Sequence, residues 1–215
     1  MIVLDTPARF KRGHDPAPKH LYLRGTYDPE LPAVAIVGAR SCSAYGCEVA
    51  RSLARDLASR GVAIISGLAR GIDAEAHRGA LEGGGVTYAV LGCGVDLIYP
   101  VRHGELAHRI VAGGGGILSE YGPGVQPAPW RFPHRNRIIA GLSDAVVVVE
   151  AREQSGALIT ADFALEAGVP LFAVPGEITS PFSVGTNRLL ADGDANAVLS
   201  AADVLRELSI ESTVS

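Results

Sequence analysis

Residues 33–38 read Ala-Val-Ala-Ile-Val-Gly, and this apolar run ending in glycine indicates the fold class. A strand with apolar residues at every position is buried on both faces, which is typical of a parallel sheet covered by helices. Residues 43–60 follow with apolar side chains at helical spacing, and Gly61 is placed to end that helix. This pattern predicts the first strand and the crossover helix of a βαβ unit.

The same alternation continues along the chain. We predict further strands at 62–66, 86–91, 117–119, 145–150 and 171–174, and helices at 72–81, 104–112, 135–142, 160–167, 184–190 and 201–208. Strands that alternate with helices of this length form parallel sheets with helices on both faces. The prediction is an α/β fold, doubly wound, with a mostly parallel sheet of the extended Rossmann-like kind in a single domain.

We divide the chain into three regions. Residues 1–32 are polar and rich in proline, and we interpret them as an N-terminal arm or remnant in which 20–25 forms a short edge strand. Residues 33–193 form the Rossmann-like core. Residues 194–215 form a C-terminal helix and a frayed tail.

The charge is distributed unevenly. The 215 residues carry 19 Lys and Arg against 23 Asp and Glu, a net charge of -4, which argues against a protein that coats nucleic acid by bulk charge. Residues 121–143, however, contain three arginines and no acidic residue. Residues 194–215 contain four acidic residues and one arginine. A local basic pocket therefore remains compatible with the acidic total.

Several classes of protein are excluded by simple patterns. The N-terminus turns polar after four residues, and no stretch approaches the roughly 18–20 apolar residues of a membrane span. The three cysteines form no CxxC pair and are expected to be reduced. The histidines lack metal-ligand spacing, and no GxSxG nucleophile motif occurs. We expect a cytoplasmic protein without a membrane segment.

Glycine occurs in every turn that follows a predicted strand. Ligands of doubly wound sheets bind outside the carboxyl ends of the strands, where glycine lets backbone N–H groups approach an anion and arginine binds phosphate oxygens. For any single turn, glycine that merely closes the turn is the simpler explanation, but five converging turns favour a phosphate site. The candidate binding residues from these turns are Gly38, Arg40, Ser66, Gly67, Arg70, Gly94, Thr160 and Asn187.

The common cofactor fingerprints are absent. A dinucleotide site needs GxGxxG after the first strand, where this chain has Gly38-Ala39-Arg40. No GxxxxGK[ST] motif occurs, which excludes a P-loop NTPase. We therefore predict no cofactor.

Residues 129–137, Pro-Trp-Arg-Phe-Pro-His-Arg-Asn-Arg, interleave aromatic and guanidinium groups. Aromatic faces that stack on bases beside arginines that bind phosphates are typical of single-strand nucleic-acid binding. The alternative is that the aromatic residues pack in the core and the arginines form a solvated face. The candidate binding residues from this stretch are Phe132, Arg135, Asn136 and Arg137.

Ordered motifs over about residues 21–190 resemble the DNA-processing protein A (DprA/Smf) family. They include Val-Gly-Ala-Arg at 37–40, Ser-Gly-Leu-Ala-Arg-Gly-Ile-Asp-Ala-Glu-Ala-His at 66–77, and Phe-Pro-His-Arg-Asn-Arg-Ile-Ile-Ala-Gly-Leu-Ser at 132–143. The resemblance implies an extended Rossmann-like domain that binds and protects incoming single-stranded DNA, forms a homodimer and helps to load RecA recombinase during natural transformation. It also implies that residues 38–40, Phe132 and residues 135–137 line the DNA pocket, with no catalytic residues.

Two departures from the family pattern are visible. His103 stands where members commonly carry Asn, and the additional domains that members carry before and after the core do not fit in residues 1–32 or 191–215.

An enzymatic alternative remains. The wider superfamily resembles phosphoribohydrolases that act on nucleoside monophosphates, and a nucleotide-binding sensor is a related possibility. Their PGGxGTxxE motif is broken here, because Glu177 follows Pro175-Gly176 directly and Gly185-Thr186 comes only later. We therefore favour a non-enzymatic DNA-binding protein, and rank a pure interaction scaffold last.

Overall fold

A computed structural model describes residues 2–8, 10–11, 13 and 16–210 of the protein. The strands are β1 (Ile2–Asp5), β2 (His20–Gly25), β3 (Ala33–Val37), β4 (Ala63–Ser66), β5 (Thr87–Val90), β6 (Gly116–Ser119), β7 (Ala145–Val148), β8 (Leu171–Ala173) and β9 (Asn196–Ala197). The α-helices are α1 (Ala44–Ala58), α2 (Ile72–Glu82), α3 (Gly104–Ala112), α4 (Arg131–Gly141), α5 (Gly156–Glu166), α6 (Val184–Ala191) and α7 (Ala201–Glu207), with a short 3₁₀ turn at Val101–His103.

These strands form one sheet in the order β1-β2-β6-β5-β4-β3-β7-β8-β9. The pairs from β6 to β9 are parallel, whereas β1 and β2 run antiparallel to their neighbours. The chain starts its parallel part at β3, winds outward to β6, and then returns to the other side of β3 with β7. The predicted doubly wound, mostly parallel α/β sheet is confirmed.

Alternate residues of the central strands face two different layers. In β3, Ala35 and Val37 pack towards α4 and α5, while Val34 and Ile36 pack towards α1, α2 and α7. All five residues of this strand are buried, as a strand covered on both faces requires.

The N-terminal strands differ from the prediction. Residues 20–25 form a strand, but it lies between β1 and β6 and is not at the edge of the sheet. The edge strand is β1, where Ile2 and Val3 are exposed. Within the proposed arm, residues 1, 9, 12, 14 and 15 lie outside the described residues, as do residues 211–215 of the predicted tail.

Candidate functional site

A cleft opens at the carboxyl edge of the sheet, where the winding direction reverses between β3 and β7. Its first cavity, of about 580 Å³, lies between the loops after these two strands and the helices α4 and α5. A second cavity of about 390 Å³ adjoins it beside the loop after β4. Both are lined by Arg40, Phe132 and Arg135, and we call them together the arginine cleft. Doubly wound sheets bind their ligands at this reversal point.

Four exposed arginines border the arginine cleft: Arg40, Arg70, Arg102 and Arg152. They follow β3, β4, β5 and β7 respectively, so the parallel strands bring them to one edge. Among the described residues that line the cleft, the one carboxylate is that of Asp73, which is buried. The cleft thus presents concentrated positive charge on an acidic protein. The sequence predicted Arg40 and Arg70, whereas extending the same strand-end rule to the later loops would also have found Arg102 and Arg152.

Aromatic rings form one wall of the cleft. The Arg40 guanidinium carbon lies 5.3 Å from the centre of the Phe132 ring. The ring of Tyr99 lies 5.4 Å from that of Phe132, with 35° between their planes, and Tyr99 is 46% exposed. A base can stack on such a wall while its phosphate meets a guanidinium. Tyr99 was not predicted to belong to the site.

The helical phase of α4 decides which of its residues reach the cleft. Besides Pro133, the α4 residues that line it are spaced i, i+3, i+4 and i+7: Phe132, Arg135, Asn136 and Ile139. At 3.6 residues per turn, these positions share one face. Arg137 lies two residues beyond Arg135 and points elsewhere, because two residues correspond to about 200° of rotation. It forms an ion pair with Glu120, so its predicted place in the pocket does not match the observed geometry.

Arg135 is a buried cation held by the backbone. Its Nη1 donates hydrogen bonds to the carbonyl oxygens of Gly67, at 2.9 Å, and Val90. Burial lowers the pKa of Arg135 to about 10, and the negative charge of Asp73 opposes this shift. The guanidinium therefore stays protonated at neutral pH. A side chain at Gly67 would collide with it, which explains the predicted glycine at this turn.

Asp73 organises the turn after β4. Its Oδ2 accepts hydrogen bonds from the backbone N–H groups of Gly67, at 3.1 Å, and Ala69, at 3.3 Å. Burial raises the pKa of Asp73, while the nearby charge of Arg135 opposes the increase. These contacts fix the loop that carries Arg70 at the second cavity.

Glu150 occupies the N-terminus of α1. Its carboxylate accepts hydrogen bonds from the backbone N–H of Ser43, at 2.9 Å, and from the Ser43 hydroxyl. Its backbone carbonyl accepts the N–H of Ala39 at 2.8 Å. In dinucleotide-binding folds, the N-terminus of the first helix binds the pyrophosphate. Here a carboxylate of the chain itself lies there, and it fixes the loop that carries Arg40.

Two further predicted residues belong to the first cavity. Gly38 lies so close to Ile72 and to the carbonyl of Glu150 that a side chain has no room. Thr160 lines the cavity from α5 and is 1% exposed.

Besides Arg137, three predicted residues lie outside both cavities: Ser66, Gly94 and Asn187. The buried Ser66 hydroxyl donates to the carbonyl of Ile36 at 2.7 Å. Gly94 packs against the backbone of Gly122. Asn187 Oδ1 accepts a hydrogen bond from the backbone N–H of Gly176 at 3.1 Å, and Asn187 Nδ2 donates one to the carbonyl oxygen of Gly176 at 3.0 Å. Each of these residues supports the turns at the sheet edge without facing the cleft.

Within the described part of the chain, no group of three or more His, Cys, Asp or Glu residues could hold a metal ion. In that same part, no helix is both long and apolar enough to cross a membrane.

Comparison with known proteins agrees with the motifs. The family model for DNA recombination-mediator protein A matches residues 5–209. The DNA processing protein DprA of Streptococcus pneumoniae is 45% identical over 192 residues, which cover 89% of this chain and 67% of that protein. Protein Smf of Escherichia coli is 47% identical over 175 residues, covering 81% of this chain and 46% of Smf. The chain thus spans about half to two thirds of the length of these relatives.

A solved structure of DNA processing protein A from Helicobacter pylori, which concerns the single-stranded DNA binding mode of that protein, superposes with a TM-score of 0.86. It is 34% identical, and the match covers 97% of this chain and 95% of that one. The resemblance inferred from the motifs is confirmed, and this chain belongs to the DNA recombination-mediator protein A family.

Proposed function

We propose that this protein binds single-stranded DNA in the arginine cleft. The observation that carries the proposal is the set of four exposed arginines beside the rings of Phe132 and Tyr99. The arginines meet backbone phosphates, and the rings stack on bases that are exposed only in single strands. The relative from Helicobacter pylori, whose structure concerns single-stranded DNA binding, supports this assignment.

The test is a salt titration of binding to a labelled oligothymidine and to a duplex of equal length. For each phosphate contact, the single-strand binding constant should fall by about 0.7 logarithmic units per tenfold increase in salt concentration. Arg40→Ala should make this slope shallower by the contribution of about one contact. Arg60→Ala is the matched control, because Arg60 is exposed in the loop before β4, at the opposite edge of the sheet. Equal effects of the two substitutions, or equal affinity for duplex, would refute the proposal.

Family membership supports a wider role. We infer that the protein protects incoming single strands in the cytoplasm and, as a homodimer, helps to load RecA recombinase during natural transformation. Recombinase filament formation on protected single strands should be faster with this protein than without it, and Arg40→Ala should lose the effect. Sedimentation analysis tests the homodimer.

We propose that this role is binding without catalysis. The carboxylates nearest the cleft are engaged: Asp73 accepts two backbone N–H groups, and Glu150 is bonded to Ser43. Neither is free to act as a base on a nucleotide. Release of free base from nucleoside monophosphates at catalytic turnover would contradict this reading and favour the phosphoribohydrolase alternative.

A further inference from the structure

An exposed aromatic cluster lies outside the arginine cleft. Trp130 precedes α4, and 61% of its surface is exposed. The ring of Tyr121 meets its indole edge-on, with the ring centres 6.3 Å apart. The Arg131 guanidinium lies over both rings, at 5.0 Å from Trp130 and 4.9 Å from Tyr121. We call these three residues the Trp130 platform.

The Trp130 platform lies beside the cleft, at the N-terminal end of α4. Trp130 is two residues before Phe132, about 200° around the helix, so a strand reaches it from the cleft by crossing that end of α4. Pro129 and Phe132, on either side of Trp130 in sequence, both line the first cavity. Tyr121 comes just after β6, whereas Arg40 follows β3, so three strand spacings separate the two ends. Neighbouring strands lie about 4.8 Å apart, which makes this distance roughly 14 Å. A single strand that is not stacked in a duplex spans more per nucleotide than the 3.4 Å of B-form DNA, so this distance corresponds to about two to four nucleotides.

The surroundings of the platform favour an anionic, aromatic ligand. Arg131 adds positive charge, and the nearby carboxylate of Glu120 is paired with Arg137. An indole that served only to pack the core would be buried, whereas most of this one faces solvent. Tyr121 and Arg131 hold the ring in place, so that stacking a base on it costs little additional ordering.

We propose that the Trp130 platform is a second base-stacking site, which receives a base of the same DNA strand several nucleotides from the arginine cleft. This inference rests on the proposed function. It extends the ligand from one or two nucleotides in the cleft to a strand that crosses the sheet edge from β3 to β6.

The chain supplies its own probe, because Trp130 is its single tryptophan. Oligothymidines of two to ten nucleotides are titrated into the full chain, with binding followed by the anisotropy of a terminal label and by tryptophan fluorescence. Quenching should begin at about three to five nucleotides, once the strand reaches the platform. Shorter oligonucleotides should bind without quenching.

Substitutions give the second readout. Trp130→Ala should weaken binding of long oligonucleotides by roughly five- to 150-fold, the range for loss of one stacked base, and leave short ones unchanged. Trp130→Phe should retain most of the long-strand affinity. Leu165→Ala is the control. It also removes an exposed apolar side chain, but at the C-terminal end of α5, whereas the N-terminal end of that helix lines the cleft.

The outcomes separate the two proposals. Binding that depends on Arg40 but shows no quenching and no effect of Trp130→Ala would overturn the second stacking site and leave the cleft intact. A concentration-dependent blue shift without DNA would also overturn it, since it would mean that a second copy of the chain covers Trp130. Absence of any single-strand binding would overturn both proposals.

Discussion

Replacement of Arg135 by alanine tests how the cleft is held together. Arg135 is 4% exposed and donates hydrogen bonds to two backbone carbonyls, while its charge stabilises the buried carboxylate of Asp73. Arg135→Ala leaves these carbonyls unpaired and that carboxylate without its opposing charge. Loss of hydrogen bonds to buried polar groups typically costs about 1–3 kcal/mol, and more where a charge is involved, so we expect a loss of about 3 kcal/mol in the free energy of unfolding.

The pH dependence has a defined sign. Burial already raises the pKa of Asp73 above its ordinary value of 3.8, and Arg135 opposes that increase. Without Arg135 the folded-state pKa rises further, so the folded state binds a proton more tightly than the unfolded state. Stability of Arg135→Ala should therefore decrease as the pH rises from about 4 towards the elevated pKa, more steeply than in the wild type.

Urea unfolding of a double-mutant cycle provides the measurement. Asp73→Asn removes the unpaired charge. The change that it causes in the free energy of unfolding should be more stabilising in the Arg135→Ala background than in the wild type, by about 0.5–3 kcal/mol. Strict additivity of the two substitutions, or a loss below about 1 kcal/mol for Arg135→Ala, would refute the electrostatic account of this pair.

Three further substitutions probe two supports of the site and the cap of the C-terminal helix. Gly67→Ala places a methyl group against the buried Arg135 guanidinium, and urea unfolding should show a loss of about 1–3 kcal/mol together with weaker DNA binding. Glu150→Gln removes the negative charge at the N-terminus of α1 while keeping an acceptor for Ser43, and should cost about 1–2 kcal/mol by the same measurement. Asp203→Ala removes the capping box of α7 and should cost about 0.5–2 kcal/mol at pH 7. Hydrogen bonds from the backbone of residues 199 and 200 lower the pKa of Asp203 below 3.8, so this cost should shrink as the pH falls from about 3.8 through that lowered value, as thermal unfolding over a series of acidic pH values would show.

The sequence predicts the central sheet well because its strands are marked locally. Residues 33–38 and 145–149 are apolar at every position, and parallel strands buried on both faces need nothing else to be recognised. By contrast, β1 has four residues and is defined by its pairing with β2, so no local pattern identifies it. The two-residue β9 is defined in the same way by β8.

In the site, too, some residues could be assigned from the sequence and others could not. The loops that follow strands were correctly expected to meet, because parallel strands present their carboxyl ends at one edge. The residues of α4 were harder to assign, since the prediction started the helix at 135 whereas it begins at Arg131. With the true helix, Phe132 and Arg135 share a face and Arg137 turns towards Glu120. Arg137 was assigned to the pocket from the cluster of residues 129–137 and from the family resemblance, without considering that residues two apart face different sides of a helix.

The carboxylate of Glu150 at the start of α1 has a consequence for how the site can change. A ligand held by the N–H groups of a helix end is insensitive to most substitutions, because every residue type except proline carries the same backbone donor. Here that position is already taken by the chain, and the arginine cleft offers the side chains of Arg40, Arg70, Arg102 and Arg152 instead. Each can be exchanged singly without disturbing the sheet, so strand affinity can be raised or lowered in small steps, in evolution or by engineering, while the fold stays the same.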